Sequence, residues 1–183
     1  MRIVGGIYKG KKLQVPNNQA TRPTSDRARE ALFNILSSLL QKEDKKWTEI
    51  IFLDVFSGTG AVGLEAASRG ARKVFLVEND EKALKCITQN TKGMTNVTLL
   101  GVDALKIPFS KQPAQIIFMD APYYTQLWEL ALNALSEKGW TEESSWIVIE
   151  IEKKEKAVLP VGFMLKEERI YGRNKLLFCQ KNH

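Results

Sequence analysis

From residue 50 the chain alternates between short apolar runs and longer amphipathic stretches. "IIFLDVF" (50–56), "KVFLVE" (73–78), "NVTLLG" (96–101), "QIIFMD" (115–120) and "SWIVIEI" (145–151) read as strands. "AVGLEAASRG", "DEKALKCITQNT" and "TQLWELALNALSE" lie between them and read as helices, the first closed by Gly70. Near-continuous apolar strands separated by helices imply a parallel sheet covered on both faces. Ligands of such sheets bind at the carboxyl ends of the strands. "GFMLKEERIYG" and "KLLFCQK" flank Gly172-Arg173-Asn174 and predict a closing hairpin, which places an antiparallel strand at or near the sheet edge.

The first 46 residues follow another pattern. "RIVGGIY" and "KKLQV" read as two short strands around Gly10. A helix follows in "TSDRAREALFNILSSLL", capped by Thr24 or Ser25, with Asp26 at its positive end. Ala28, Leu32, Ile35 and Leu39 recur at helical spacing and predict its buried face. Residues 42–48 are polar and make a plausible boundary. The expected organisation is a basic hairpin-and-helix extension over 1–46 and an α/β domain over 47–183, packed as one unit.

Composition changes this picture in three ways. At 183 residues, 44% hydrophobic and 26% charged, the chain suits one soluble domain. No apolar run nears the roughly 18 residues of a membrane span, and the start lacks a signal-peptide core, so a cytoplasmic protein is expected. Cys86 and Cys179 are far apart and form no metal spacing. The only histidine is His183, which leaves catalysis to carboxylates, backbone groups, aromatics or a cofactor. Residues 1–46 hold 10 basic and 4 acidic side chains, and the remainder 17 of each, so the whole excess of +6 sits in the N-terminal quarter. That asymmetry points to a phosphate-facing arm, with Arg2, Lys9, Lys11, Lys12, Arg22, Arg27 and Arg29 as candidates. Arg22 has a second reading, as a structural tie across the cofactor site. Arg173 and Lys175 are weaker candidates, for which a plain polar turn is the favoured reading.

The candidate chemistry follows the first strand. "DVFSGTGAVGLE" places Gly58-x-Gly60-x-x-Gly63 between strand and helix, the context of a nucleotide-binding turn. Asp54 ends the first strand, Glu78 the second, and Asp103 follows the third. Glu78 suits the two hydroxyls of a ribose, Asp103 and the backbone near Ala104 an adenine edge, and Asp54 an ammonium group. A pyrophosphate would be repelled by these acids. S-adenosylmethionine, with two cationic groups and no phosphate, suits them better than NAD. "GGIYKGKK" misses the phosphate-binding loop pattern, because Lys12 stands where Ser or Thr is needed.

"DAPYY" (120–124) ends the fourth strand. A carboxylate and a neighbouring carbonyl can accept the two N–H bonds of a planar amine and aim its lone pair at a methyl donor. Pro122 stiffens the loop and Tyr123 can stack on an unstacked base. In "RIVGGIYKGKKLQVP", "TRPTSDRAREALFNIL", "LDVFSGTGAVGLEAASRGA", "VEND" and "DAPYY" the chain resembles the bacterial 16S rRNA guanine-N2 methyltransferases of the RsmD family. The resemblance implies a class I S-adenosylmethionine-dependent methyltransferase fold with strand order 3-2-1-4-5-7-6. It implies methylation of N2 of one guanine, guanine 966 in the family, within an assembling small ribosomal subunit. It assigns Asp54, Phe56, Gly58, Gly60, Glu78, Asn79, Asp103 and Ala104 to the cofactor, and Asp120, Ala121, Pro122 and Tyr123 to the target base. No metal is expected, and a monomer is the default. One departure stands out: Ala121 occupies the place of the family's first proline. Its carbonyl is a backbone group and is retained, but alanine does not fix φ, so an active enzyme with a looser loop is expected. The rival readings are another nucleic-acid or protein amine methyltransferase, an NAD-dependent oxidoreductase, and a silent RNA-binding module.

Overall fold

The computed structural model describes residues 1–16 and 26–182. Among these residues seven strands form one sheet: β1 (Ile51–Val55), β2 (Lys73–Glu78), β3 (Val97–Gly101), β4 (Ile116–Met119), β5 (Trp146–Glu152), β6 (Phe163–Tyr171) and β7 (Asn174–Lys181). Four α-helices of the described residues accompany them: α1 (Asp26–Lys42), α2 (Ala61–Ser68), α3 (Glu81–Asn90) and α4 (Leu127–Glu137). The order across the sheet is β3-β2-β1-β4-β5-β7-β6. The first five strands are parallel, and β7 runs antiparallel to both β5 and β6.

Side chains of successive residues leave opposite faces of the sheet, and each face has its own core. Phe52, Ile116, Phe118, Val148 and Phe178 pack under α1, α2 and α3. Ile51, Leu53, Val55, Ile117, Met119, Ile147 and Ile149 pack under α4, through Trp128, Ala131, Leu132 and Leu135. Both faces being covered is why these strands read as unbroken apolar runs. The edge strand β6 is mostly exposed, and Lys166, Glu167, Glu168 and Arg169 along it discourage pairing with another chain. Among the described residues no helix is long and apolar enough to cross a membrane.

The N-terminal segment is a looser hairpin than expected. Arg2 and Lys12 form its one bridge among the described residues, with Ile3 N–H bonded to Lys11 O (3.0 Å) and Gly10 N–H to Ile3 O (2.8 Å). Three other donors of the segment go to α2. Val4 N–H bonds to Glu65 Oε2 (2.8 Å), Ile7 N–H to Ser68 O (2.8 Å) and Tyr8 N–H to Ser68 Oγ (2.9 Å). The contact is tight enough that a Cβ on Gly6 would lie 1.9 Å from the Ser68 carbonyl oxygen. Ile3 and Leu13 enter the same core as α1.

α1 presents a face rotated from the expected one. Its buried residues are Arg29, Leu32, Phe33, Leu36 and Leu40, while Ala28, Ile35 and Leu39 are half-buried. Each fully buried Leu or Phe contributes on the order of 2 kcal/mol. The rotation brings Arg29 inside, between Asp26 (2.9 Å) and Glu65 (3.8 Å), with its guanidinium also donating to the Arg2 carbonyl. The expected caps, Thr24 and Ser25, lie outside the described residues.

Candidate active site

The parallel register brings the ends of β1, β2 and β4 together. Asp54 pairs with Leu76 and Phe118, and Val55 with Val77 and Met119, so Phe56, Glu78 and Asp120 follow along one edge. The turn after β1 is shaped by left-handed backbone at Phe56 (φ 62°), Gly58 (φ 55°) and Gly60 (φ 78°). A Cβ on Gly58 would meet nothing within 4 Å, which leaves open space beside the turn for a ligand. Gly63 serves packing instead: a Cβ there would lie 2.2 Å from Leu76 Cδ2.

Each acidic residue has a definite local role. Asp54 is 2% exposed, and its Oδ2 accepts the Gly63 N–H (2.8 Å) at the positive start of α2. Burial lifts its carboxyl to about 7, partly offset by the Gly63 bond and reinforced by Glu78. Glu78 pins the glycine turn: Oε2 accepts the Gly58 N–H, and Oε1 accepts those of Asn79 and Asp80, all at 2.8 Å. Asp103 caps the 3-10 turn at Ala104–Lys106, accepting the Leu105 N–H (2.9 Å). Ala104 is buried beneath it and Asn79 is exposed.

Asp120 stands just past β4. Burial raises its carboxyl well above the usual range, and Glu150 and Asp54 push it further. Ala121 is buried, whereas Pro122 and Tyr123 are exposed. Burial and then Asp120 raise the Tyr123 hydroxyl, with Glu150, Glu152 and Glu155 adding to it. Among the described residues, none of Asp54, Glu78, Asp103 and Asp120 is in an ion pair. Among the described residues, an edge lined by carboxyls that no Lys or Arg pairs with suits a cationic ligand and disfavours a phosphate.

Two of the most deeply buried acids among the described residues escape a reading of the sequence alone. Glu150 is 3% exposed in the middle of β5 and accepts a bond from Asn174 Nδ2. A lone acid inside "WIVIEI" was its one visible signal. Glu65 is 0% exposed in α2, bonded to Val4, Arg69 and Arg29.

The basic arm divides. Arg2, Lys9, Lys12 and Arg27 are exposed. Lys11 is half-buried, donates to the Lys92 carbonyl (3.0 Å) and lies over the Tyr8 ring. Arg29 is withdrawn from the phosphate-facing set, since a fully buried guanidinium held by Asp26 and Glu65 does not reach solvent. Arg22 lies outside the described residues.

This sheet order, with a glycine-rich turn after β1 and acids at the following strand ends, defines a class I methyltransferase, whose methyl donor is S-adenosylmethionine. A family model described as "Conserved hypothetical protein 95" matches residues 1–180. The chain belongs to this family, the RsmD family. It is 32% identical to "Ribosomal RNA small subunit methyltransferase D" of Haemophilus influenzae, over 94% of this chain and 89% of that one. It is 33% identical to the protein of that name from Escherichia coli, over 94% and 86%. Among solved structures it is similar to "Putative methyltransferase yhhF from Escherichia coli", with a TM-score of 0.83, 31% identity, and coverage of 100% of this chain and 98% of that one.

Proposed function

We propose that this protein methylates the exocyclic N2 of one guanine in small-subunit rRNA. The observation that carries the reading is the carboxyl-lined edge around Gly58–Gly63, in no ion pair among the described residues and continued by Asp120–Tyr123. Supporting it, the relatives at 32% and 33% identity are named for methylation of small-subunit ribosomal RNA. Guanine 966 is the specific position proposed.

Bound S-adenosylmethionine supplies an electrophilic methyl group on a sulfonium cation. Glu78 holds the ribose, Asp103 with the Ala104 backbone holds the adenine, and Asp54 attracts the ammonium group. Phe56 and Asn79 border this site, and Gly58 and Gly60 let the backbone pass close to it. The Asp120 carboxylate and the Ala121 carbonyl each accept one N–H of the guanine amine, turning its lone pair outward. Pro122 limits movement of the loop and Tyr123 stacks on the base. A protonated Asp120 is a poorer acceptor than the carboxylate, so the positive charge beside it matters: a cation lowers the proton affinity of Asp54 and Asp120 together.

Residues 1–46 act as an RNA-facing extension of the methyltransferase domain at 47–183. Arg2, Lys9, Lys12 and Arg27 are its phosphate contacts, Lys11 a weaker one, and Arg22 either a contact or a tie across the cofactor site. The protein works as a cytoplasmic monomer on an assembling particle. The test is transfer of labelled methyl from S-adenosylmethionine to unmodified small-subunit particles and to bare rRNA. N2-methylguanosine as the sole product supports the reading; methylation of another atom, or of protein, overturns it.

A further inference from the structure

The segment between β4 and α4 carries Asp120, Ala121, Pro122 and Tyr123, yet it is lightly tied to the sheet. Asp120 N–H donates to Val55 O at 3.4 Å, and Pro122 to Gln126 are exposed. Two residues of this segment, Tyr124 (φ 60°) and Gln126 (φ 55°), occupy left-handed backbone that favours glycine. Such a conformation persists where its surroundings over-determine it.

The surroundings of Tyr124 do so. Its N–H donates to Glu155 Oε2 (3.2 Å) and its hydroxyl to Glu152 Oε2 (2.8 Å). Behind it, the Thr125 hydroxyl donates to the Pro122 carbonyl (2.6 Å) and closes the loop on itself. The acceptors are also held. Glu155 N–H bonds to Glu152 O (3.0 Å), and Lys154 N–H to Glu152 Oε2 (2.6 Å). That turn is joined to the β6–β7 hairpin by Lys153 N–H to Arg173 O (2.8 Å) and by Lys175 Nζ to Glu155 O (3.1 Å). The chain at 120–126 is thus fastened at its far end to the turn after β5, and through it to the last hairpin.

We propose that Tyr124 is a positioning residue for methyl transfer. Its two bonds to Glu152 and Glu155 hold the Ala121 carbonyl and the Tyr123 ring in place, doing the work that a ring-locked φ at 121 would do. Ala121 leaves its own φ free, so the constraint comes from outside the loop. The role rests on the functional reading above, but its first test does not need activity.

Amide hydrogen exchange is measured on the full cofactor-free chain. Tyr124→Phe and Glu152→Ala are expected to speed exchange at 123–126 about three- to tenfold, the weight of one net hydrogen bond. Glu152→Gln keeps an acceptor oxygen and is expected to stay near the parent. Ala121 is not left-handed, and Ala121→Pro added to Tyr124→Phe is expected to restore slow exchange. Tyr124 is 66% exposed, so these variants should keep the parent's thermal transition. In the methylation assay Tyr124→Phe is expected to lower kcat by a similar factor with KM for the cofactor unchanged, and Ala121→Pro to recover it. Unchanged exchange in Tyr124→Phe, or a double variant as loose as Tyr124→Phe, overturns the proposal. If exchange responds as expected but the parent methylates no rRNA, the positioning of the loop is supported and the functional reading falls.

Discussion

Asp54→Asn separates the structural role of this carboxylate from its proposed cofactor role. Asp54 is 2% exposed, and burial lifts its carboxyl from 3.8 to about 7. In the unfolded chain it returns to the ordinary range. Between about pH 5 and pH 7 the folded protein therefore keeps a proton that the unfolded chain has lost. Stability falls as pH rises through this window, by about 1.4 kcal/mol per pH unit, and levels off above the folded value. The full effect is bounded near ~4 kcal/mol. D54N does not titrate, and its amide oxygen still accepts the Gly63 N–H. Its extra N–H donors add a cost that does not vary with pH. The difference in unfolding free energy between D54N and the parent should thus shift toward D54N by about 3 kcal/mol from pH 5 to pH 8.5. Urea unfolding without cofactor across that range measures the shift. Parallel stability curves would refute the reasoning, whichever protein is the more stable at any one pH. Function should move the opposite way. Loss of the charge that attracts the cofactor's ammonium is expected to weaken S-adenosylhomocysteine binding about ten- to a hundredfold at pH 8. The parent's own affinity should decline as pH falls below 7, because a protonated Asp54 no longer attracts a cation.

Three further outcomes follow from the same geometry. Asp120→Asn is expected to lower methyl transfer at least about a hundredfold while S-adenosylhomocysteine binding by calorimetry stays near that of the parent; equal losses in both would move Asp120 into the cofactor site. Gly63→Ala should cost about 1–3 kcal/mol in chemical denaturation, because its Cβ would press on Leu76, and adding Leu76→Ala should be strongly non-additive. Lys9→Ala and Lys12→Ala should each lower the log–log salt slope of rRNA binding by about 1, whereas Arg29→Ala should leave the slope alone and cost about 2–4 kcal/mol of stability by emptying a buried place beside Asp26 and Glu65, the latter keeping Arg69; a change in slope at Arg29 would return it to the RNA-facing set.

The sheet was legible because parallel strands covered on both faces leave little polar interruption, so "KVFLVE" and "QIIFMD" declare their own limits. The glycine turn and the strand-end acids were legible for a related reason: the limits of each strand place the acids along one edge, and left-handed backbone at Gly58 and Gly60 calls for glycine. The N-terminal hairpin was legible only in part, since Ile3 and Gly10 bond within it while the donors of Val4, Ile7 and Tyr8 go to Glu65 and Ser68, partners about 60 residues away. Arg29 was misread for the same cause. A cluster of basic residues suggests a solvent-facing arm until the buried Glu65 that claims one of them is in view. The face of α1 followed, because an apolar count gave no credit to a paired arginine at a buried position. Glu150 and Tyr124 were hidden in another way: an acid within an apolar strand and a tyrosine beside a tyrosine look like packing until the chain brings β5 and its turn alongside.

The central claim is methylation of one guanine at N2 in small-subunit rRNA. The direct measurement is mass spectrometry of nucleosides and fragments from small-subunit rRNA of cells with the gene, without it, and carrying Asp120→Asn. One N2-methylguanosine is expected in the first and missing from the other two, at a single position. A full complement of rRNA methylation in all three would contradict it.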